Sequence, residues 1–236
     1  MTLGRIPRFG VAADAEPGIA RHGVPQDLGA AEASCPSPGG DRGFSKNFPA
    51  TLAGIAREQG IGFDAVENWF QDEAMIGQKN NITRRWAGRG SLPVAPQDQR
   101  YASTYVFGAI CPREGKGAAL VVPFCNTAAM NLHLAEISLM VEAGRHAGLL
   151  LDQAGCHMSG EVMVPDNITL LPLLAKCPEL NVMENVWQFM RDNWLSNRVF
   201  RKHDDITGHC CYFWNLLIDQ PWRIMSLGMR EWAHRH

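Results

Sequence analysis

Ala147-Gly148-Leu149-Leu150-Leu151-Asp152-Gln153 is an uninterrupted apolar run closed by a carboxylate. A strand with one wet face alternates, whereas a strand covered on both faces reads as a continuous apolar stretch, the habit of strands inside parallel or mixed sheets. Residues 147–153 are therefore predicted to be a central strand. An ionised carboxylate at the edge of so apolar a segment must be paired, metal-bound or turned to solvent. An Asx turn with Gly155 as the chain leaves the strand is the plainer use of Asp152. The run itself leaves both open.

Working outward, residues 127–142 carry Met130, Leu134, Ile137 and Met140 at helical spacing, and Asn126 can cap the start. Downstream, 167–174 reads as another strand. Residues 181–197 read as a helix with the stripe Met183, Trp187, Met190 and Trp194. Upstream lie strand candidates at 67–71, 83–87, 102–110 and 118–123, with turns at Gly90-Ser-Leu-Pro and over 112–117. A short amphipathic helix over 48–58 has Leu52, Ile55 and Ala56 on one face, and one more is predicted over 205–219, with a short last one after Trp222. Strands, helix, strand, strand, helix is the order of an α/β ribonuclease-H-like fold: a central mixed sheet flanked by helices, with a C-terminal helical extension.

Residues 1–43 differ from the rest. Stretches such as Cys35-Pro-Ser-Pro-Gly-Gly and the scarcity of large apolar side chains predict a disordered lead-in without a recognisable DNA-binding module. Residues 44–236 then form one catalytic-sized domain. Hydrophobic residues at 46%, charged residues at 19% and a net charge of −2 describe an ordinary globular protein, so any surface for nucleic acid has to be local. No apolar run is long enough to span a bilayer, and a cytoplasmic protein with no membrane partner is expected. The seven cysteines include no Cys-x-x-Cys pair and are expected to be buried small residues in a reducing compartment.

Two further carboxylates stand in comparable settings. Asp72 follows Trp69-Phe-Gln at the expected end of a strand, and Glu184 lies in the first turn of the helix over 181–197. Hard oxygen donors in such a cluster suit magnesium, which keeps several waters for chemistry. Each has a plainer alternative. Asp72 can be a surface carboxylate beside Glu73, and Asn181-x-x-Glu184 can be a capping box. Glu179, Asp192 and Asp166 compete for the third position. His157 suits a ligand, a phosphate contact, a general acid or a structural role. Lys79, Arg84, Arg85, Arg89 and Arg100 form the densest basic stretch, suited to phosphates or to a solvated hairpin. The tryptophans read mainly as core.

Five blocks, in order, carry a family resemblance: Trp69-Phe-Gln-Asp-Glu-Ala-Met-Ile-Gly-Gln-Lys, Arg100-Tyr-Ala-Ser-Thr-Tyr-Val-Phe-Gly-Ala-Ile-Cys-Pro, Leu150-Leu-Asp-Gln-Ala-Gly-Cys-His, Pro178-Glu-Leu-Asn-Val-Met-Glu-Asn-Val-Trp and Asn193-Trp-Leu-Ser-Asn-Arg-Val-Phe. Together they resemble the catalytic half of a bacterial insertion-sequence transposase of the mariner superfamily, insertion-sequence 630 type. The resemblance implies a DDE transposase that uses two magnesium or manganese ions to nick double-stranded DNA at transposon ends and join it to a TA-containing target. It implies Asp72, Asp152 and Glu184 as catalytic metal ligands, with Glu73 and His157 as accessory candidates. A homodimer in the active complex and association with the nucleoid are implied as well.

Three departures stand out. Leu173-Leu-Ala-Lys-Cys replaces a proline-rich turn, Cys156 stands where an aromatic often precedes the histidine, and Val182 stands where a proline commonly opens the helix. Loss of that proline is expected to loosen the presentation of Glu184. With no helix-turn-helix in 1–43, a truncated or partly decayed copy is expected. The alternatives are an inactive remnant that binds DNA or dimerises with a full-length transposase, and another ribonuclease-H-like nuclease such as a resolvase.

Overall fold

The computed structural model describes residues 40–78, 102–153, 160–174, 177–195 and 198–234. Five strands form one sheet: β1 (Val66–Gly77), β2 (Ser103–Cys111), β3 (Lys116–Val122), β4 (His146–Leu151) and β5 (Ile168–Pro172). Their spatial order is β3-β2-β1-β4-β5. β1, β2 and β3 form an antiparallel meander, while β4 and β5 run parallel to β1. The helices are α1 (Gly40–Glu58), α2 (Thr127–Met140), α3 (Met183–Met190), α4 (His203–Ile218), α5 (Pro221–Gly228) and α6 (Glu231–His234). This is the mixed sheet with flanking helices and helical C-terminal region that the sequence predicts.

Strand alternation divides the core into two. Trp69, Phe107, Ala109, Leu120, Leu149 and Leu151 face α2 and its Met130, Leu134 and Ile137. Phe70, Val106, Ile110, Val121 and Leu150 face the opposite layer, which includes Leu52 and Ile55 of α1, Met183 and Trp187 of α3, and Trp214 of α4. Every residue of β4 is buried, as the apolar run from Ala147 requires, and His146 at its start meets Thr169 Oγ1 at 2.7 Å.

The boundaries differ from expectation at three elements. β1 does not end at Gln71 but continues to Gly77, because β2 goes on pairing with it antiparallel after its pairing with β4 stops at Phe70↔Leu150. α1 begins at Gly40 and contains Pro49, a residue that reads as a helix start. Phe44 and Phe48 pack on Trp232, with centroids 5.7 and 5.0 Å away, so tertiary contact holds the turn before the proline. α3 gives way after Met190 to a turn of π-helix, Arg191–Leu195. The strand predicted over 83–87 lies outside the described residues.

At the sheet end where β1 begins, Glu67 is buried and carries a charge network. It accepts from Trp69 Nε1 at 2.9 Å and from Lys116 Nζ at 2.9 Å, and Arg145 Nη1 lies 3.5 Å away. Arg145 also reaches Glu114 at 3.1 Å. Cys111, Cys177 and Cys210 are buried as expected, but Cys125 is exposed and Cys211 partly so. Among the described residues no helix is long and apolar enough to cross a membrane.

Candidate active site

The carboxylates singled out in the sequence lie toward the opposite end of the sheet. Phe70 pairs with Leu150 in parallel register; Asp72 and Asp152 each lie two residues beyond that pair. Alternation keeps Asp72 on the face of Phe70, and one step past β4 it assigns Asp152 to the face of Leu150. That is the face covered by α3. Asp72 is thus not at a strand end. It sits inside β1, opposite Gly108 of β2, at the point where β1 loses its other neighbour. Asp152 is exposed. Gln153 beside it is tied down, donating from Nε2 to Leu173 O at 2.9 Å, while Leu173 N donates to Leu151 O at 2.8 Å. The chain after β5 thereby anchors the Leu151 backbone before Asp152 and the Gln153 side chain after it.

Asn181 connects α3 to β1. Its buried side chain donates from Nδ2 to Gln71 O at 2.9 Å and accepts from Met183 N at 3.2 Å. The capping-box expectation is therefore modified: Asn181 holds Met183 N, and its amide grips the residue before Asp72. Val182 begins the helix without a side-chain cap of its own. The anchor that a proline does not supply comes from Asn181. Glu184 is exposed in the first turn of α3, with Gln188 and Arg191 following on the same exposed face.

Trp187 is buried under this arrangement, and its Nε1 donates to Asp72 Oδ2 at 3.0 Å. Gly108 makes the contact feasible. A Cβ there would lie 2.5 Å from Trp187 Cη2 and 2.9 Å from Met183 Cε. The helix stripe identifies Trp187 as core, and the bond to Asp72 escapes a reading of the stripe alone. The signal available was chemical: a buried indole N–H normally finds an acceptor.

Electrostatics set Asp72 apart. Burial, reinforced by the negative charges of Glu73 and Glu184, pushes its carboxyl up to about 7, against the pull of the Trp187 hydrogen bond. A carboxylate held among carboxylates in a half-buried position is a site that gains from a cation. Glu184 is near enough to contribute to this repulsion. Among the described residues, no three His, Cys, Asp or Glu side chains converge into a ready-made metal cage. Carboxylates, one or two with water completing the sphere, are the donors that a magnesium ion takes.

The other candidates separate. Glu73 points to the opposite face by alternation and accepts from Gln71 Nε2 at 2.9 Å. Asp166 precedes β5, at the sheet end away from Asp152. Glu179 and Asp192 are exposed before and after α3. His157, Gly155, Cys156, Lys79, Arg84, Arg85, Arg89 and Arg100 lie outside the described residues.

A family model described as DDE superfamily endonuclease matches residues 67–207, which include all three carboxylates. The chain is 65% identical over 131 residues to the Uncharacterized protein y4pE/y4sA of Sinorhizobium fredii (strain NBRC 101917 / NGR234), a match that covers 56% of this chain and 97% of that protein. Among solved structures it is similar to the Mos1 transposase paired-end complex with left transposon end, at 16% identity and a TM-score of 0.51, over 96% of this chain and 68% of that one. It is also similar to the mariner Mos1 paired end complex with Mg, at 17% identity and a TM-score of 0.50, over 88% and 68% of the two chains. At these identities the likeness is one of fold, and it agrees with the ribonuclease-H-like strand order.

Proposed function

Because the chain belongs to the DDE superfamily endonuclease family, we propose that it carries out metal-dependent nicking of transposon-end DNA and strand transfer into a TA-containing target. The register of β1 on β4, which brings Asp72 and Asp152 to the same step past Phe70 and Leu150, is the observation that supports this most. Residues 44–236 act as the catalytic domain in this reading.

Asp72, Asp152 and Glu184 are the residues that would hold two magnesium or manganese ions, with the aspartates sharing one and Glu184 completing the other. When bound, these ions supply a nucleophilic oxygen at neutral pH and stabilise the leaving oxygen of an in-line displacement. The protein's own part is to hold the donors. Gln153 ties the chain beside Asp152 to Leu173 through its side chain, Asn181 sets α3 against β1, and the Trp187 N–H orients one oxygen of Asp72. Asp72 must release its proton before it can act as a ligand, which a carboxyl near 7 does readily at neutral pH.

Lys79, Arg84, Arg85, Arg89 and Arg100 contact DNA phosphates in this proposal, and His157 and Glu73 remain accessory candidates. Two of the Mos1 assemblies to which the chain is similar are paired-end complexes, one of them with Mg. We extend to this chain a homodimer on paired ends, a divalent ion and work on DNA in the bacterial cytoplasm at the nucleoid.

Incubation with manganese or magnesium and oligonucleotides bearing the element's ends tests the reading. Joining of a 3′ end to target DNA is expected. Cleavage without joining points instead to a resolvase-like nuclease. Retained DNA binding or dimerisation with no chemistry points to an inactive remnant.

A further inference from the structure

The DDE reading assigns work to three carboxylates and leaves Trp187 as packing. Its geometry says more. The indole is buried in the layer covering the sheet, beside Trp214 with ring centroids 6.0 Å apart, yet its single polar atom is spent on Asp72 Oδ2 at 3.0 Å. The opposing position of β2 is a glycine whose Cβ would occupy the ring's place. From the same stretch of chain, Asn181 fastens the start of α3 to the residue preceding Asp72. One short stretch of chain, Asn181 to Trp187, thus grips β1 at consecutive residues, once on the Gln71 backbone and once on the Asp72 side chain.

We propose that Trp187 is a positioning residue for the metal site: its indole N–H holds Asp72 Oδ2 and would fix the orientation in which this carboxylate meets an ion, and Gly108 supplies the space that lets it do so. The inference rests on Asp72 being a metal ligand and goes beyond it in assigning a duty to a residue that touches neither ion nor DNA. Partners that orient metal ligands are worth about 10- to 100-fold in metal affinity or activity when removed. A tryptophan that merely fills the core would, on replacement by phenylalanine, lower the melting temperature and leave the metal dependence of the survivors alone.

The test uses the full chain labelled with 15N. Its seven tryptophans give up to seven indole N–H signals, and Trp187→Phe identifies the one of interest by its loss. That signal is expected to move in Asp72→Asn and on titration with Mg2+, and to broaden first with Mn2+. In folded Trp187→Phe, calorimetry should show Mg2+ affinity weakened about 10-fold or more, with nicking falling in step and partly restored by excess metal. Where Trp187→Phe does not fold, the benzothiophene analogue of tryptophan at 187, which exchanges only the N–H for sulfur, takes its place with the same expectation.

Wild-type metal affinity and rate in these variants, with Asp72→Asn still losing both, would overturn the positioning role and leave the metal site standing. Undiminished metal binding and cleavage in Asp72→Asn would remove the site itself and the inference with it.

Discussion

Asp72 and Gly108 face each other across the β1–β2 ladder, and the space above the glycine is filled by the ring that hydrogen-bonds the aspartate. Gly108→Ala is therefore expected to expel or tilt Trp187. Overpacking of this kind costs about 1–3 kcal/mol. Thermal melting should show a loss of several degrees, and metal affinity should fall as well, because the displaced indole no longer reaches Asp72.

Asn181→Ala should destabilise the chain through a different route. It strips the buried Gln71 carbonyl and the Met183 amide of their side-chain partner. Leaving such groups unsatisfied costs about 1–3 kcal/mol each at most, with water repaying part of it at the helix start. Urea unfolding should register the loss. Hydrogen exchange should localise the added opening to the first turn of α3.

Asp72 gives the metal-free protein a distinctive pH dependence. Its carboxyl is at about 7 in the folded chain and at 3.8 by default, so the folded state binds the proton more tightly than the unfolded one. Stability from this group is full below the lower value, declines as pH rises between the two, and is level above the higher. Asp72→Asn removes that decline. Its melting temperature relative to wild type should rise from pH 4 to pH 7 and then plateau. Magnesium at pH 8 should raise the melting temperature of wild type and not of the variant.

Glu67 provides a control at the other end of β1. Glu67→Gln leaves Lys116 and Arg145 facing a neutral group in a buried position. Removing one member of a buried pair costs up to about 3–5 kcal/mol, and partial exposure of both cations places the expectation at about 2–3 kcal/mol. Denaturant titration measures it. Folded Glu67→Gln should bind Mg2+ as wild type does, separating stability from the site.

The sequence was most readable where burial was symmetrical. β4 is covered on both faces, so its apolar run has no polar interruption and its carboxylate stands out. Gln71, Asp72 and Glu73 break the apolar pattern of β1 just past its last pair with β4, so the pattern alone predicts too short a strand. Only the ladder to β2, a long-range contact, carries the strand on to Gly77. The three candidate carboxylates stand out in local blocks, but the bond from Trp187 to Asp72 joins residues 115 positions apart and has no local sign beyond a buried indole. The helical stripe likewise continued through Trp194, although the chain widens into a π turn after Met190. The sequence predicts α1 only from Phe48, beside Pro49, and the contacts of Phe44 and Phe48 with Trp232 hold the earlier turns.

The central claim is that Asp72, Asp152 and Glu184 form a metal-dependent strand-cleaving site, and Asp152→Asn tests it most directly. Asp152 is exposed just past β4, so the variant should fold, which its melting curve checks. Nicking of end-bearing DNA with Mn2+ should fall by at least about 1000-fold, to the level seen with chelator. A folded Asp152→Asn variant that nicks at the wild-type rate would contradict the account.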